Sequence, residues 1–519
     1  MLTSALADTA QQYLDGNRPS DIVMPYGPPS LGALSVIAGD DMAPATRVAM
    51  NTMITTWSQK LPRNNKRIRY YLMKETLKNM GISVPPQLQR FYAVSGWASK
   101  AVKALVSRSR FDGFTFDDDH MESILTDTIQ SNNFGVLYRQ AATDELISGC
   151  AFLTASPGGP GEPTIIVNAY PATLATGLWN PRTKSLAYGL AITDVDKSYR
   201  PTRVVVYAPE ASYDLTNTGG IWQCQAIKNN TGRPLMVCMA HEPSLIYPFG
   251  RSRISRAVMG IVDEAVRETL REAIAAEMFT APRRWISGAT EKFAKALSAQ
   301  KDEAYLGNIM TITSNGNTNP QVGQFAASSL EPHISYMRDL AARFSGETNI
   351  PVSSLGVVSD NPSSAEAIYA AKEDMVIDAE NLNETNGGTL QQLACLILAI
   401  NQNMTVADLP SEQKGVVAQF RNPAMPSVVS QADAMTKLAS AAPWIAQSDV
   451  FLEEIGFNRS EIARLRTARQ RYSAQQTVSS ALASLGRANN TSENSTAQET
   501  ASNDVEDQTE DVDNQTEEA

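Results

Sequence analysis

The 519-residue chain is poor in the side chains that carry acid–base, nucleophilic and metal chemistry. It holds three histidines, His120, His241 and His333, and four cysteines, Cys150, Cys224, Cys238 and Cys395, all far apart. His120-Met121-Glu122 spells His-x-Glu, but no Pro-Cys-x-x-Cys follows to complete a deaminase-type zinc site. Neither His-Glu-x-x-His nor Cys-x-x-Cys occurs. No zinc site is therefore expected, and the cysteines read as buried free thiols. No Gly-x-Ser-x-Gly turn exists to present a nucleophile to one of the histidines. The Gly-rich run from Ser156 to Pro163 lacks the Lys-Ser/Thr of a phosphate loop and reads as a turn. These absences argue against an enzyme and against a bound cofactor.

Long apolar runs are also missing. The stretch ACLILAI ending at Ile400 falls far short of the roughly 20 residues that span a bilayer. The segment MLTSALADTA has no basic region, so no signal peptide is expected and the chain reads as cytoplasmic in origin. Basic domains are lacking too. The net charge is −11, but ten acids and no base lie between Asn490 and Ala519, which leaves the rest near −1. That polar, acidic tail has almost nothing to bury and is expected to be disordered. A near-neutral body argues against tight, sequence-specific DNA binding.

What is present is a sequence long enough for roughly two to four domains. A short helix is expected from about Thr46 to Gln59, then a separate basic helix after Leu61-Pro62, closed by Gly81 and Pro85-Pro86. Its Arg67, Arg69, Tyr70, Tyr71 and Lys74 read either as a nucleic-acid patch or, preferably, as a solvated face with two tyrosines partly in the core. Ala98, Val102, Leu105 and Val106 mark the apolar face of the next helix, which leads to a turn and strand. Asp117, Asp118 and Asp119 are adjacent. In an extended chain they point to alternate sides, so a loop or helix cap is preferred to a cation site.

Two helices between Met121 and Ser148 lead into a strand. From there to about Tyr247 the chain becomes short runs rich in Val, Ile, Tyr and Thr between Gly, Pro and Asn turns, with WNPRTKSL as a hairpin connection. Ile254, Val258, Ile261, Ala265 and Ile274 then mark one face of a helix about 38 Å long. Its other face carries Asp263, Glu264, Arg267, Glu268, Arg271 and Glu272, with Asp263 and Arg267 an i, i+4 pair.

A small strand–helix–strand–strand module follows. Next comes a helix opening at Ser329 with Leu330, Ile334, Met337, Ala341 and Phe344 on one face, expected to end at Gly346 and Pro351. Ser363-Ser364-Ala365-Glu366 is a capping box for a further helix with Ile368, Met375, Ala379 and Leu382 on its apolar face, broken at Gly387-Gly388. Residues 430 to 486 read as several short helices.

The phrases RFSGETNIPVSSLGV and NPSSAEAIYAAKEDM resemble the tunnel-loop region of tailed, double-stranded-DNA phage portal proteins. So does the segment Pro248-Phe249-Gly250-Arg251-Ser252, which closes a sheet that follows a helix of the type NNFGVLYRQAATDELISGCAFL. The resemblance covers roughly residues 60 to 485, as loose texture in the family's order.

It implies an α+β, portal-type fold. The N-terminal wing would span 1–250, the first stem helix 251–279, the clip 280–328 and the second stem helix 329–349. The tunnel loop would span 350–362, the long kinked wing helix and return 363–428, the helical crown 429–486 and the disordered acidic tail 487–519. It further implies a dodecameric ring at one capsid vertex, forming the channel for DNA packaging and ejection. Val352, Ser353, Ser354, Val357, Val358, Ser359, Asp360 and Asn361 would face the DNA. Arg283, Arg284 and Trp285 are docking candidates in the clip; Trp285 in the core with surface arginines is the equal alternative.

The implied partners are copies of the chain, duplex DNA held without sequence preference, and the terminase large subunit. Major capsid or scaffold protein and a head-completion or tail adaptor protein complete the set; no membrane is implied. The implied location is the virion's portal vertex, and the host cytoplasm during assembly. Two other readings stay open on the residues alone. One is an oligomeric head scaffold or adaptor without a channel. The other is a hydrolase whose site would show a perturbed carboxylate or histidine in a deep pocket.

Overall fold

The computed structural model describes residues 37–38, 42–75, 93–115, 119–197, 200–280, 284–292, 295, 309–313, 321–324, 329–356, 372–424, 428–457, 461–462 and 464–479. Two compact units result, Met1–Met425 and Pro426–Ala519.

The first unit is mixed α and β. Helix α1 spans Pro44–Tyr71 without interruption, so the expected break at Leu61-Pro62 does not occur. Proline inside a helix loses one hydrogen bond, at about 3 kcal/mol. Here Pro62 and Ser58, whose carbonyl it leaves free, both lie on the exposed side. Trp57, Leu61 and Ile68 meanwhile bury the inner face. Water solvates the gap, and packing holds the rod straight through it.

That inner face covers a six-stranded sheet in the order β1-β9-β8-β7-β6-β5. Its strands are β1 (Ile37–Ala38), β5 (Ala175–Asn180), β6 (Ser185–Val195), β7 (Pro201–Tyr207), β8 (Ala211–Thr218) and β9 (Ile221–Lys228). All neighbours are antiparallel except β1 and β9. Leu190 and Ile192, Val204 and Val206, and Tyr213 and Leu215 alternate along their strands and pack on Met50, Met53 and Trp57. The WNPRTKSL turn joins β5 to β6.

A larger core collects α2 (Trp97–Val106), α4 (Phe134–Ser148) and the sheet β10-β3-β4. These strands are β3 (Cys150–Pro157), β4 (Ile165–Pro171) and β10 (Met236–Ala240). Strand β2 (Phe111–Thr115) pairs with β14 (Val417–Phe420), and α3 (Asp119–Ser131) precedes α4. Cys150 and Cys395 are buried and Cys224 and Cys238 half-buried, all free. The acids Asp117 and Asp118 lie outside the described residues.

Helix α5 spans Arg256–Thr280 and α6 spans Glu331–Thr348, and the two pack together. Between them β11 (Arg284–Ala289) runs parallel to β12 (Ile309–Thr313) and antiparallel to β13 (Gln321–Gln324). Gly346 does not end α6. Asn349 does, at φ +54, a left-handed position that an Asn side chain tolerates. The cap at Ser329 is real, its Oγ accepting from the Glu331 N–H at 3.1 Å.

Helix α7 spans Glu373–Gln402 and passes through Gly387-Gly388 unbroken. Two glycines cost about 1 kcal/mol each in a helix. Buried Asn383, Asn386, Thr389 and Leu390 hold the same turns in the core and outweigh that cost. The capping box at Ser363 and Ile368 lie outside the described residues. In the second unit, α8 (Val428–Ala441) and α9 (Asp449–Ile455) precede a helical run over 464–479.

Candidate channel segment and its anchor

Gly250 and Arg253 prepare the point where the sheet hands over to α5. Gly250 sits at φ +66, and a Cβ there would lie 2.2 Å from the His241 carbonyl oxygen and 2.7 Å from that of Gly149. No other residue fits. The turn is stitched on both sides. Arg251 N–H donates to the His241 carbonyl at 2.7 Å, and Arg253 N–H to the Leu146 carbonyl at 2.9 Å. Ser252 Oγ donates to the Ile147 carbonyl at 2.6 Å. His241 Nδ1 lies 2.8 Å from the Arg251 carbonyl oxygen. Burial lowers the pKa of His241, so it stays neutral.

This turn delivers Arg253 into the protein, where its side chain is 7% exposed. The guanidinium reaches three elements. Nε donates to the Ala101 carbonyl of α2 at 3.1 Å, Nη1 to Asp378 Oδ2 of α7 at 3.1 Å, and Nη2 to the Thr348 carbonyl of α6 at 2.5 Å. Asn349 Nδ2 donates to the other Asp378 oxygen at 3.2 Å. The planar fork thus ties the root of α5, the foot of α6 and the start of α7 into one clamp. Sequence reasoning missed it. Its one signal was a second arginine in the segment Gly250-Arg251-Ser252-Arg253, just before an apolar helix.

The candidate channel residues begin at this clamp. Ile350 and Pro351 are buried, and Val352–Leu355 form a single 3-10 turn capped by Gly356 at φ +84. Ser353 and Ser354 are exposed, Val352 and Leu355 half-buried. Val357, Val358, Ser359, Asp360 and Asn361 lie outside the described residues. Of the clip candidates, Arg283 also lies outside. Arg284 is exposed on β11. Trp285 is half-buried and faces Gly323, where a Cβ would stand 2.4 Å from the indole.

The charged face of α5 is not free. Asp263 accepts from the Tyr70 hydroxyl at 2.9 Å rather than bridging to Arg267, and burial raises its pKa. Glu264 accepts from Arg343 Nη1 at 3.1 Å and the Tyr336 hydroxyl at 3.3 Å. Glu268 is 3% exposed, 2.6 Å from His333 Nδ1 and 3.3 Å from Arg271 Nη1. These pairs set the register of α5 against α6. Burial in α6 is one-ended: Leu340, Ala341, Phe344 and Thr348 are buried, but no residue from Glu331 to Asp339 is.

The basic helix face is likewise committed to its own chain. Arg67 Nη1 donates to the Ser148 carbonyl at 3.1 Å, and burial with nearby Arg63 brings its pKa down to about 10. Arg69 pairs with Glu75, and Lys103 lies over the Tyr71 ring. A solvated face with its tyrosines partly in the core describes this segment better than a nucleic-acid patch. Burial pushes the Glu145 carboxyl up to about 8. At 0% exposed and bonded to Asn386 Nδ2 at 3.0 Å, it meets no substrate. Among the described residues no group of His, Cys, Asp and Glu is placed to hold a metal, and no helix is long and apolar enough to cross a membrane.

A family model described as phage portal protein, SPP1 Gp6-like, matches residues 51–455. The curated portal protein of Mycobacterium phage D29 is 22% identical over 430 residues, 81% of this chain and 87% of that protein. The portal protein of Mycobacterium phage L5 is 22% identical over 408 residues, 76% and 83% of the two chains. Among solved structures, a chain from the virion of a native gene transfer agent particle superposes with a TM-score of 0.40 at 11% identity. That match covers 67% of this chain and 86% of the other.

Proposed function

Because the chain belongs to the phage portal protein family of the SPP1 Gp6-like type, we propose that it forms a dodecameric ring at one capsid vertex, with an axial channel for DNA. Portal proteins are structural parts of the tailed-phage virion, not enzymes. Packaging and head–tail connection follow from membership. The finer assignments belong to this proposal: the division into wing, stem, clip, tunnel loop, long helix and crown, docking of terminase, capsid or scaffold, and adaptor proteins, and assembly in the host cytoplasm.

The observation that carries the ring is the one-ended burial of α6. A helix in which none of the first nine residues is buried within its own subunit is stabilised by what it meets elsewhere. In a cyclic assembly that partner is the next copy. Arg253 supplies the complementary property. It fixes the foot of α6 to α5 and α7, so the turn at Val352–Leu355 is presented from a rigid root. Force on that turn passes through the clamp into the body.

For a genome to slide, the channel wall must not pair with many phosphates. From Ile350 to Ala365 the sequence has one acid, Asp360, and no base. Electron microscopy of the purified protein in end-on view tests the proposal. Rings with an open axial hole and a countable number of subunits are expected. Rings without a hole would favour a scaffold or adaptor, and isolated monomers would sink both.

A further inference from the structure

Between β10 and the Gly250 turn, residues Glu242 to Phe249 form a loop that is well ordered and apolar at its tip. Ser244 N–H donates to the Tyr247 carbonyl at 3.1 Å, and Tyr247 N–H returns to the Ser244 carbonyl at 3.0 Å. Ser244 Oγ also accepts from the Tyr247 N–H at 3.2 Å. Gly250 N–H closes on the Tyr247 carbonyl at 3.0 Å, and the Arg251 guanidinium lies 5.2 Å from the centre of the Tyr247 ring. This reciprocal bonding makes a tight turn with Leu245 and Ile246 at its apex, 104% and 80% exposed, and Tyr247 54% exposed beside them. The turn spends hydrogen bonds to hold two branched aliphatic side chains in water. An adjacent exposed pair on a braced turn is a contact feature rather than scattered surface apolarity.

We propose that this loop is the knob of the subunit–subunit interface, and that it seats in a depression of about 420 Å³ on the neighbouring copy, lined by Tyr71, Val106 and Val136 with Lys103, Arg110 and Arg139 at its rim. The inference rests on the ring reading and adds to it a named contact. Charge selects the occupant: the lining residues include three bases and no acid, whereas the loop from Glu242 to Phe249 has one acid and no base. The Glu242 side chain is 65% exposed, so it is accessible to that rim. Topology selects a second copy. Knob and depression lie on different elements of one chain, so their union is head-to-tail and propagates until it closes. The knob is fastened through Gly250 and Arg251 to the Arg253 clamp, so the same contact would register neighbouring stems.

The full-length chain carrying both L245D and I246D tests this by mass photometry and electron microscopy. Neither side chain is buried in its own subunit, so circular dichroism and the melting midpoint of the monomer should not change, while the ring population is lost. In a second experiment, L245C combined with V136C is treated with a short bismaleimide. A ladder of covalent oligomers is expected, with none from either single variant. Rings that persist in the double aspartate variant, or wild-type rings whose paired cysteines give no ladder, would overturn the knob and leave the ring standing. Closed dimers in place of rings would overturn the head-to-tail pairing. A wild-type chain that never assembles would sink the ring reading and the knob with it.

Discussion

Arg253 illustrates how one side chain organises elements far apart in the sequence. Its three acceptors lie 152, 125 and 95 residues away. Lysine at this position keeps the charge but has no planar fork, and cannot reach α2, α6 and α7 together. R253A would also leave Asp378 without its cation, a loss of about 3–5 kcal/mol by analogy with other broken buried pairs. Chemical denaturation should show R253K recovering less than half of that deficit. Full rescue by lysine would mean that charge alone matters.

A second residue-scale test concerns pH. Burial lifts Glu145 to about 8 and half-buried Asp144 to about 7, both above their values in an unfolded chain. The folded state therefore holds protons that the unfolded state has released. Stability falls as pH rises from about 4.5, where free carboxyls ionise, to about 8, and levels off above. E145Q removes one of the two contributions, so its melting midpoint should decline less steeply between pH 5 and 8 than the wild type's. Parallel profiles would show that Glu145 is charged in the fold.

At the scale of elements, local punctuation was overruled twice. Pro62 and the pair Gly387-Gly388 were expected to stop helices and instead sit inside them. In both cases the flanking turns bury residues against distant partners, such as Thr389 Oγ1 donating to the Cys238 carbonyl at 3.1 Å and Trp57 Nε1 to the Thr173 carbonyl at 3.1 Å. A Cβ added at Gly388 would meet nothing within 4 Å. G388A should thus raise stability by about 1 kcal/mol, seen as a higher denaturation midpoint. A decrease would mean that α7 needs flexibility at this point.

By contrast, the strands from Cys150 to Ala240, the helix Trp97–Val106 and the rods α5 and α6 follow the periodicities read from the residues. Each buries one face over several turns or alternations, so the signal repeats along the segment.

For the whole molecule, composition made the strongest argument. A body near neutral charge cannot gather many phosphates, and the basic helix face is occupied by Ser148, Glu75 and Tyr71. Assembled rings should bind duplex DNA no more tightly than about 10⁻⁶ M at physiological salt, without sequence preference, as a fluorescence titration would show. Nanomolar affinity would contradict a sliding channel. Much of the candidate site was legible only as a location. The segment after Asn349 could be placed from the end of one helix and the start of the next, but not what anchors it, because the anchor is a buried contact between residues with no local pattern.

The order of helices and strands, the shortage of catalytic and metal-binding groups and the near-neutral body were settled by the amino-acid sequence, since each depends on composition or on spacing within a few turns. Tertiary structure alone decided which carboxylates of α5 face inward, that helices run through a proline and two glycines, and that Arg253 joins three elements. Those outcomes turn on burial against partners a hundred or more residues away. There, the free energy of packing exceeds local conformational preferences of about 1–3 kcal/mol.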